Sequence, residues 1–339
     1  MFTGGGDHKA RNHGEGLMGK TLLKILLAIG VLIVICIIIS VWMVWKRPLK
    51  VDAMFSRMAL GKLGFEKASI PSPDGRMTVW LAGEGQCMVL LHGAGDQAGT
   101  WARMVQPLLD DYKVVIPDLP GHWKSDPRKG PIGVDQLLSG VEVVMDSVCA
   151  GEEVILVGNS LGAWLAMLYA HDYPAHVARM VLINGGAITN VNPAIILFPQ
   201  TREEARETMK ALMGPATLPV PDFVLDDVIR HARVGPAGRF VQTLDQWSPY
   251  LLDGRLDEVR VPVELVWGDG DDLWTLDVAQ VLLDGLPQAR LHPVHGCGHV
   301  PHRECPDKTL EAINAALAMP PPEMKIEQDA ADLNVEPGT

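Results

Sequence analysis

The five residues Gly158-Asn159-Ser160-Leu161-Gly162 constrain this chain more than any other stretch. They directly follow residues 154–157, Val-Ile-Leu-Val, short and apolar as a strand buried on both faces should be. They directly open residues 161–171, whose composition predicts a helix. A serine with glycine two places before and two places after it, between strand and helix, describes a turn too tight for flanking side chains. Ser160 then stands at a helix N-terminus, where backbone N–H groups and the helix dipole favour developing negative charge. With 34 glycines in 339 residues, such a string arises by chance in about one chain in five. The setting, and not the string alone, separates a nucleophile from a bystander serine in a glycine-rich turn.

A serine hydroxyl needs a general base, and the base needs an orienting acid. The base candidate is His299 in Gly296-Cys297-Gly298-His299, after a strand expected at residues 290–294. The acid candidate is Asp271 in Trp267-Gly268-Asp269-Gly270-Asp271, just past a strand expected at 263–267. Asp272 is its rival one position on, and Asp269 also flanks it; His295 and His302 flank His299. The oxyanion of an acyl-transfer intermediate needs two donors. The backbone N–H groups of Leu161, next to the nucleophile, and of Ala94, in the loop His92-Gly93-Ala94-Gly95 after the strand at 87–91, have the right positions. His295, Cys297, His299 and His302 could also be read as zinc ligands, but no second ligand group supports that reading. No metal and no cofactor is implied.

Around these residues the chain alternates strand and helix signals. Residues 69–71 and 77–81 flank a Pro-Asp-Gly turn and predict an antiparallel hairpin; strands follow at 87–91, 113–117, 154–157 and 177–183. Residues 187–257 then hold helical patches and no strand, which suggests a cap over one end of a parallel sheet. Upstream, residues 25–45 form an uncharged apolar run of 21 residues. As a helix it would be roughly 31 Å long, enough to cross a hydrocarbon core of about 30 Å. It exceeds a signal-peptide core of about 7–15 residues, and no small-x-small cleavage site follows. The expected organisation is a disordered N-terminus over residues 1–20, a membrane anchor over 21–45 and a juxtamembrane linker over 46–66. The catalytic domain follows over 67–318 with its cap at about 187–257, and then a disordered tail over 319–339. Lys9, Arg11 and Lys20 before the span nearly balance Lys46, Arg47, Lys50 and Arg57 after it, a faint bias toward a cytosolic domain. The net charge of -12 argues against a nucleic-acid partner. The five cysteines, odd in number and without a CxxC pair, read as reduced and mostly buried thiols. Oligomeric state is not legible.

Taken together, His92–Gly95 (HGAG), DLPGH at 118–122, GNSLG at 158–162, WGDGD at 267–271 and GCGH at 296–299 resemble the α/β-hydrolase superfamily. The likeness covers about residues 68–318. It implies an α/β-hydrolase fold, a mostly parallel sheet flanked by helices with a helical cap insertion. Its WGxxD pattern selects Asp271, and its final GH selects His299. Trp123 departs from the pattern, which carries glycine after DxPGH. Within the superfamily the chain resembles membrane-anchored monoacylglycerol lipases, which share one N-terminal anchor, similar length and a helical cap; 198–214 looks like their cap opening. The resemblance implies a serine esterase or lipase acting on a small-molecule acyl ester beside a bilayer. A carbon–carbon-bond, lactone or small-ester hydrolase on the same three residues is the alternative, and a degenerate, non-catalytic binding module the third reading.

Overall fold

Eight strands form one sheet in the order β1-β2-β4-β3-β5-β6-β7-β8. The computed structural model describes residues 8–189, 198–215 and 217–324, with side chains from Leu22 onward. The strands are β1 (Glu66–Ser72), β2 (Gly75–Ala82), β3 (Gln86–Leu91), β4 (Tyr112–Pro117), β5 (Val154–Asn159), β6 (Val177–Ile183), β7 (Val263–Gly268) and β8 (Ala289–Val294). The hairpin β1–β2 adds to β4 antiparallel, and every pairing from β4 to β8 is parallel. The helices are α1 (His8–Lys46), α2 (Pro48–Lys62), α3 (Val134–Val148), α4 (Leu161–Asp172), α5 (Arg202–Leu212), α6 (Asp222–Val234), α7 (Pro236–Val241), α8 (Leu276–Gly285), α9 (Pro301–Glu304) and α10 (Pro306–Ala318).

Alternation along the strands sends side chains to two cores, one on each face. Cys87, Val89 and Leu91 of β3 and Val154 and Leu156 of β5 join α3, α4 and α8 on one side. Met88 and Leu90, with Ile155 and Val157, meet Leu60 of α2, Trp101 and Ile313 of α10 on the other. Burial on both faces explains why these strands read as continuous apolar runs.

The chain reverses direction across the sheet between β3 and β5: β4 lies on one side of β3, and β5 with its successors on the other. Loops at the carboxyl ends of two such strands part and leave a crevice, the usual ligand position in an open α/β sheet. Leu91 pairs with Gly158, so the chain leaves β3 at His92 beside the end of β5, which Ser160 follows.

The N-terminal unit, Met1–Val51, and the unit Asp52–Thr339 are separate compact bodies. In the first, α1 contains Leu22–Lys46, 25 residues with an 18-residue stretch of mean hydropathy 3.3, long and apolar enough to cross a membrane. The helix begins at His8, where a disordered segment over 1–20 was expected. Once the apolar span is helical, each further residue adds a hydrogen bond without a new nucleus.

Two further expectations need correction. Residues 46–66 are not a linker: α2 occupies most of them and buries Ala53, Arg57 and Leu60, three positions on one helical face. The fully buried Leu60 alone contributes about 2–3 kcal/mol. The cysteines are not all thiols, because Cys87 bonds Cys149 and Cys297 bonds Cys305, with Cα separations of 6.0 and 6.2 Å. Only Cys36 is free. The first pair joins residues 62 apart, a proximity that β3 and the end of α3 create and that no local spacing announces. In the cap, α5, α6 and α7 account for the helical patches, while residues 190–197 and most of the tail over 319–339 lie outside the described residues.

Candidate active site

Ser160 takes φ +54° and ψ −115° between β5 and α4. Left-handed φ is uncommon outside glycine and marks a strained turn. The glycines on either side are required by close approach. A Cβ on Gly158 would strike the carbonyl of Gly162, and one on Gly162 the carbonyl of Leu91. The turn is held by the Ser160 N–H, which donates to Ile183 O at 3.0 Å. The Ser160 side chain does not cap α4, and the residue is half-buried.

His299 and Asp271 come together as the sequence reading expects. His299 Nδ1 lies 2.8 Å from Asp271 Oδ2, and both residues are buried. Asp271 sits in a nest of donors. Oδ2 also accepts from Asn184 Nδ2 at 2.7 Å, and Oδ1 accepts from the Leu273 and Trp274 N–H groups at 2.8 and 2.9 Å. A carboxylate facing four donors is held in one orientation. It fixes the His299 proton on Nδ1 and leaves Nε2 as the basic nitrogen. Asp272 is exposed on the same loop, and Asp269 instead accepts from His295 and from the Gly296 N–H. The residues weighed as zinc ligands are likewise engaged: Cys297 in its disulfide, His295 with Asp269, and His302 with Thr100 Oγ1 at 3.0 Å.

Asn159 joins the parts. Its Nδ2 donates to Ile183 O at 3.1 Å and to the His299 carbonyl at 2.9 Å, tying the elbow to the histidine loop. The His299 N–H donates to Leu212 O at 2.8 Å, so the last turn of α5 rests on the same loop. Gly93 lies against the elbow, with its Cβ direction 3.5 Å from Ser160 Cβ. Ala94 follows at the exposed tip of that loop, and Leu161 opens α4.

Two buried histidines shape the loop that carries Ala94. Leu119 N–H donates to His92 Nε2 at 3.1 Å, which leaves the proton on Nδ1 to donate to Gly93 O at 2.8 Å. His122 repeats the scheme, accepting Gly95 N–H at 3.0 Å and donating to Pro120 O at 3.0 Å. Both must be neutral to do this. Burial lowers the pKa of His92 and holds that of His122 well below the ordinary 6.5. Burial also drives His302, whose ring centroid lies 4.4 Å from that of Trp101 in a tilted pair, down to about 3. The structural tasks of Asn159, Asn184, His92 and His122 escaped sequence reading. Three of the four sit inside the quoted motifs, and only Asn184, at φ +45° after β6, has no local signal.

These three histidines set an acid limit on stability. The unfolded chain takes up their protons near pH 6.5 while the folded chain does not, so stability is whole above pH 6.5 and falls below it. For His302 the loss continues toward pH 3. Each histidine contributes a slope of up to about 1.4 kcal/mol per pH unit. Urea midpoints measured from pH 8 to 4.5 are expected to be level down to about 6.5 and then to decline, and His302→Gln should make the decline shallower by up to one proton.

The strand order, the crevice at its reversal and the serine elbow define an α/β hydrolase. The chain belongs to the Alpha/beta hydrolase family, which matches residues 88–312. A 2-hydroxy-6-oxononadienedioate/2-hydroxy-6-oxononatrienedioate hydrolase of Pseudomonas putida is 31% identical over 240 residues, 64% of this chain and 82% of that one. The fold is shared with a bacterial membrane phospholipase A at TM-score 0.67 and 22% identity, covering 87% of this chain and 98% of that one. It is also shared with a carboxylesterase of Bacillus subtilis at TM-score 0.61 and 20% identity, covering 78% and 98%.

Proposed function

We propose that the chain is a serine hydrolase that cleaves a carboxylic ester through an acyl-enzyme. The observation that carries this reading is the elbow serine, Ser160 at φ +54°, set among loops that also hold the bonded pair His299–Asp271. Ser160 Oγ attacks the ester carbonyl while His299 Nε2 takes its proton, and Asp271 stabilises the imidazolium that forms. The Ala94 and Leu161 N–H groups receive the oxyanion. As the C–O bond breaks, His299 returns the proton to the departing alcohol. Water, deprotonated by the same nitrogen, then attacks the acyl-enzyme, and the acid leaves as Ser160 regains its proton.

The preferred substrate is a medium- to long-chain acyl ester, monoacylglycerol being the best single choice. The span Leu22–Lys46 would hold the enzyme where such amphiphiles concentrate. The outer face of α2, beginning eight residues beyond it, exposes Met54, Phe55 and Met58. Of the apolar cap residues, Leu225 and Phe240 are buried, and Phe240 stacks on Trp247 at 4.3 Å, which assigns them to packing. Leu197 lies outside the described residues. Leu212 and Met213 remain half-buried beside His299, where a flexible methionine suits an acyl chain of variable length. The two disulfides favour the oxidising side of the membrane for the catalytic unit, against the faint bias of the flanking charges. Mass-tagging of denatured, unreduced protein should then modify Cys36 alone; tagging of all five cysteines would argue for the cytosolic side.

The Pseudomonas putida relative supports a second reading, hydrolysis of a carbon–carbon bond in a 2-hydroxy-6-oxo-dienedioate on the same residues. One panel decides between them: kcat/KM for p-nitrophenyl esters from C2 to C16, for monoacylglycerols in micelles, and for a 2-hydroxy-6-oxo-dienoate. Each buried methylene is worth about 0.8 kcal/mol, so four added carbons should raise kcat/KM about a hundredfold or more. A sharp optimum at C2 without turnover of monoacylglycerol would overturn the lipid reading, and turnover of the dienoate alone would establish the second.

A further inference from the structure

The inner face of α2 reaches the loops around Ser160. Arg57 forms a fork with Asp118, Nη1 to Oδ1 at 2.7 Å and Nη2 to Oδ2 at 2.8 Å, with 6% and 0% of the two residues exposed. Nη1 also reaches Gln97 Oε1 at 3.2 Å. The guanidinium lies over two indoles, 5.2 Å from the Trp80 ring and 4.9 Å from that of Trp123. Asp118 and Gln97 pass the constraint on. Asp118 Oδ1 accepts the Ala98 N–H at 2.9 Å, and Gln97 Oε1 accepts the Gly99 N–H at 2.7 Å. Gly99 touches the helix backbone itself, since a Cβ there would come within 2.9 Å of Arg57 N. A second clasp lies at the start of α2. Arg303, four residues after His299, donates to Asp52 Oδ2 at 2.7 Å and approaches Asp96 Oδ1 at 3.7 Å. The Asp96 N–H in turn donates to Gly93 O at 3.2 Å and closes the turn that contains Ala94.

Trp123 belongs to the same assembly. It adopts φ +45°, a conformation that costs a bulky residue and that the glycine of the family pattern would take without strain. Its ring over Arg57 is the compensating contact.

We infer that α2 is a strut of the active site and that Arg57 is a positioning residue, setting the loop that presents Ala94 N–H through Asp118 and Gln97. The inference rests on the reading of Ser160 as nucleophile and Ala94 as oxyanion donor. A planar, stacked fork fixes two partners at once, and a lysine in its place supplies only a point charge. Displacing a catalytic donor by about 1 Å costs about a hundredfold in rate. The loop acts on the oxyanion and not on ground-state binding, so kcat should move while KM does not.

The test uses the full-length chain in detergent, with p-nitrophenyl butyrate as substrate and near-UV circular dichroism to normalise to folded protein. Arg57→Lys is expected to lower kcat about 10- to 100-fold with KM within about twofold. Trp123→Gly, which restores the residue of the family pattern and relieves the strained φ, should lower kcat several-fold in the same way. It keeps the test informative if Arg57→Lys does not fold. A fluorophosphonate probe is applied to the parent in parallel. Labelling of the parent at Ser160, together with kcat per folded molecule unchanged in the variants, overturns the positioning role alone, even if their melting temperatures fall. An unlabelled parent overturns the nucleophile assignment and this inference with it.

Discussion

Replacing Ser160 with alanine is expected to lower kcat by about 10⁵- to 10⁶-fold and to leave the fold intact. The magnitude follows from removing the atom that forms the covalent intermediate, as in other serine hydrolases where loss of the nucleophile costs about as much as loss of the whole set. A residue of about 10³-fold over uncatalysed hydrolysis should survive, because the oxyanion donors and the binding crevice remain. The fold is insulated from the change for a structural reason. The Ser160 hydroxyl does not cap α4, and the turn is held by backbone bonds from Ser160 N–H to Ile183 O and from Trp164 N–H to Ser160 O. Alanine keeps both. The measurement is kcat on p-nitrophenyl butyrate with thermal melting and fluorophosphonate labelling in parallel. A variant that retains even a hundredth of the parent rate would place the nucleophile elsewhere.

What was legible in the sequence and what was not divides along the range of the interactions. The strands β3, β5 and β7 could be read because burial on both faces leaves an unbroken apolar run, and the elbow because its glycines are demanded by contacts within one turn. The loops bearing Asp271 and His299 followed, since each comes directly after such a strand. The helix α2 was missed because Lys50, Asp52, Arg57 and Lys62 make it look solvated. Its most polar inward position, Arg57, is buried only because Asp118, 61 residues away, is waiting for it. The Cys87–Cys149 disulfide was missed for the same reason of distance, its partners lying 62 residues apart, while Cys297 and Cys305, 8 residues apart, carry no CxxC spacing to announce their bond. Trp123 was visible as a departure from the family pattern, but its meaning depends on Arg57 and so on the same tertiary contact. Local patterns record what a residue needs from its own segment. The partners that make a buried arginine or histidine acceptable are recorded nowhere near it.

The choice between neighbouring acids gives the second large effect. Asp271→Asn is expected to lower kcat/KM by about 10⁴-fold, and Asp272→Asn by less than about threefold. The carboxylate of Asp271 faces donors on both oxygens: Leu273 and Trp274 N–H on Oδ1, His299 Nδ1 and Asn184 Nδ2 on Oδ2. An asparagine there has only one oxygen to offer. If that oxygen stays with the backbone N–H groups, its amide nitrogen confronts His299 Nδ1, and the imidazole must move its proton to Nε2, where the base should be free. If the amide turns over, two backbone donors are left facing a donor, at a cost of about 1–3 kcal/mol each. Either arrangement removes the nitrogen that accepts the Ser160 proton or loosens the loop that carries the acid. Asp272 is exposed, and its backbone N–H donates to Ala211 O at 3.3 Å. The comparison is made at pH 8, with circular dichroism to verify folding. Equal losses would mean that both carboxylates reach the imidazole, and a larger loss at Asp272 would shift the acid by one residue, with the Asn184 contact reduced to support for the loop.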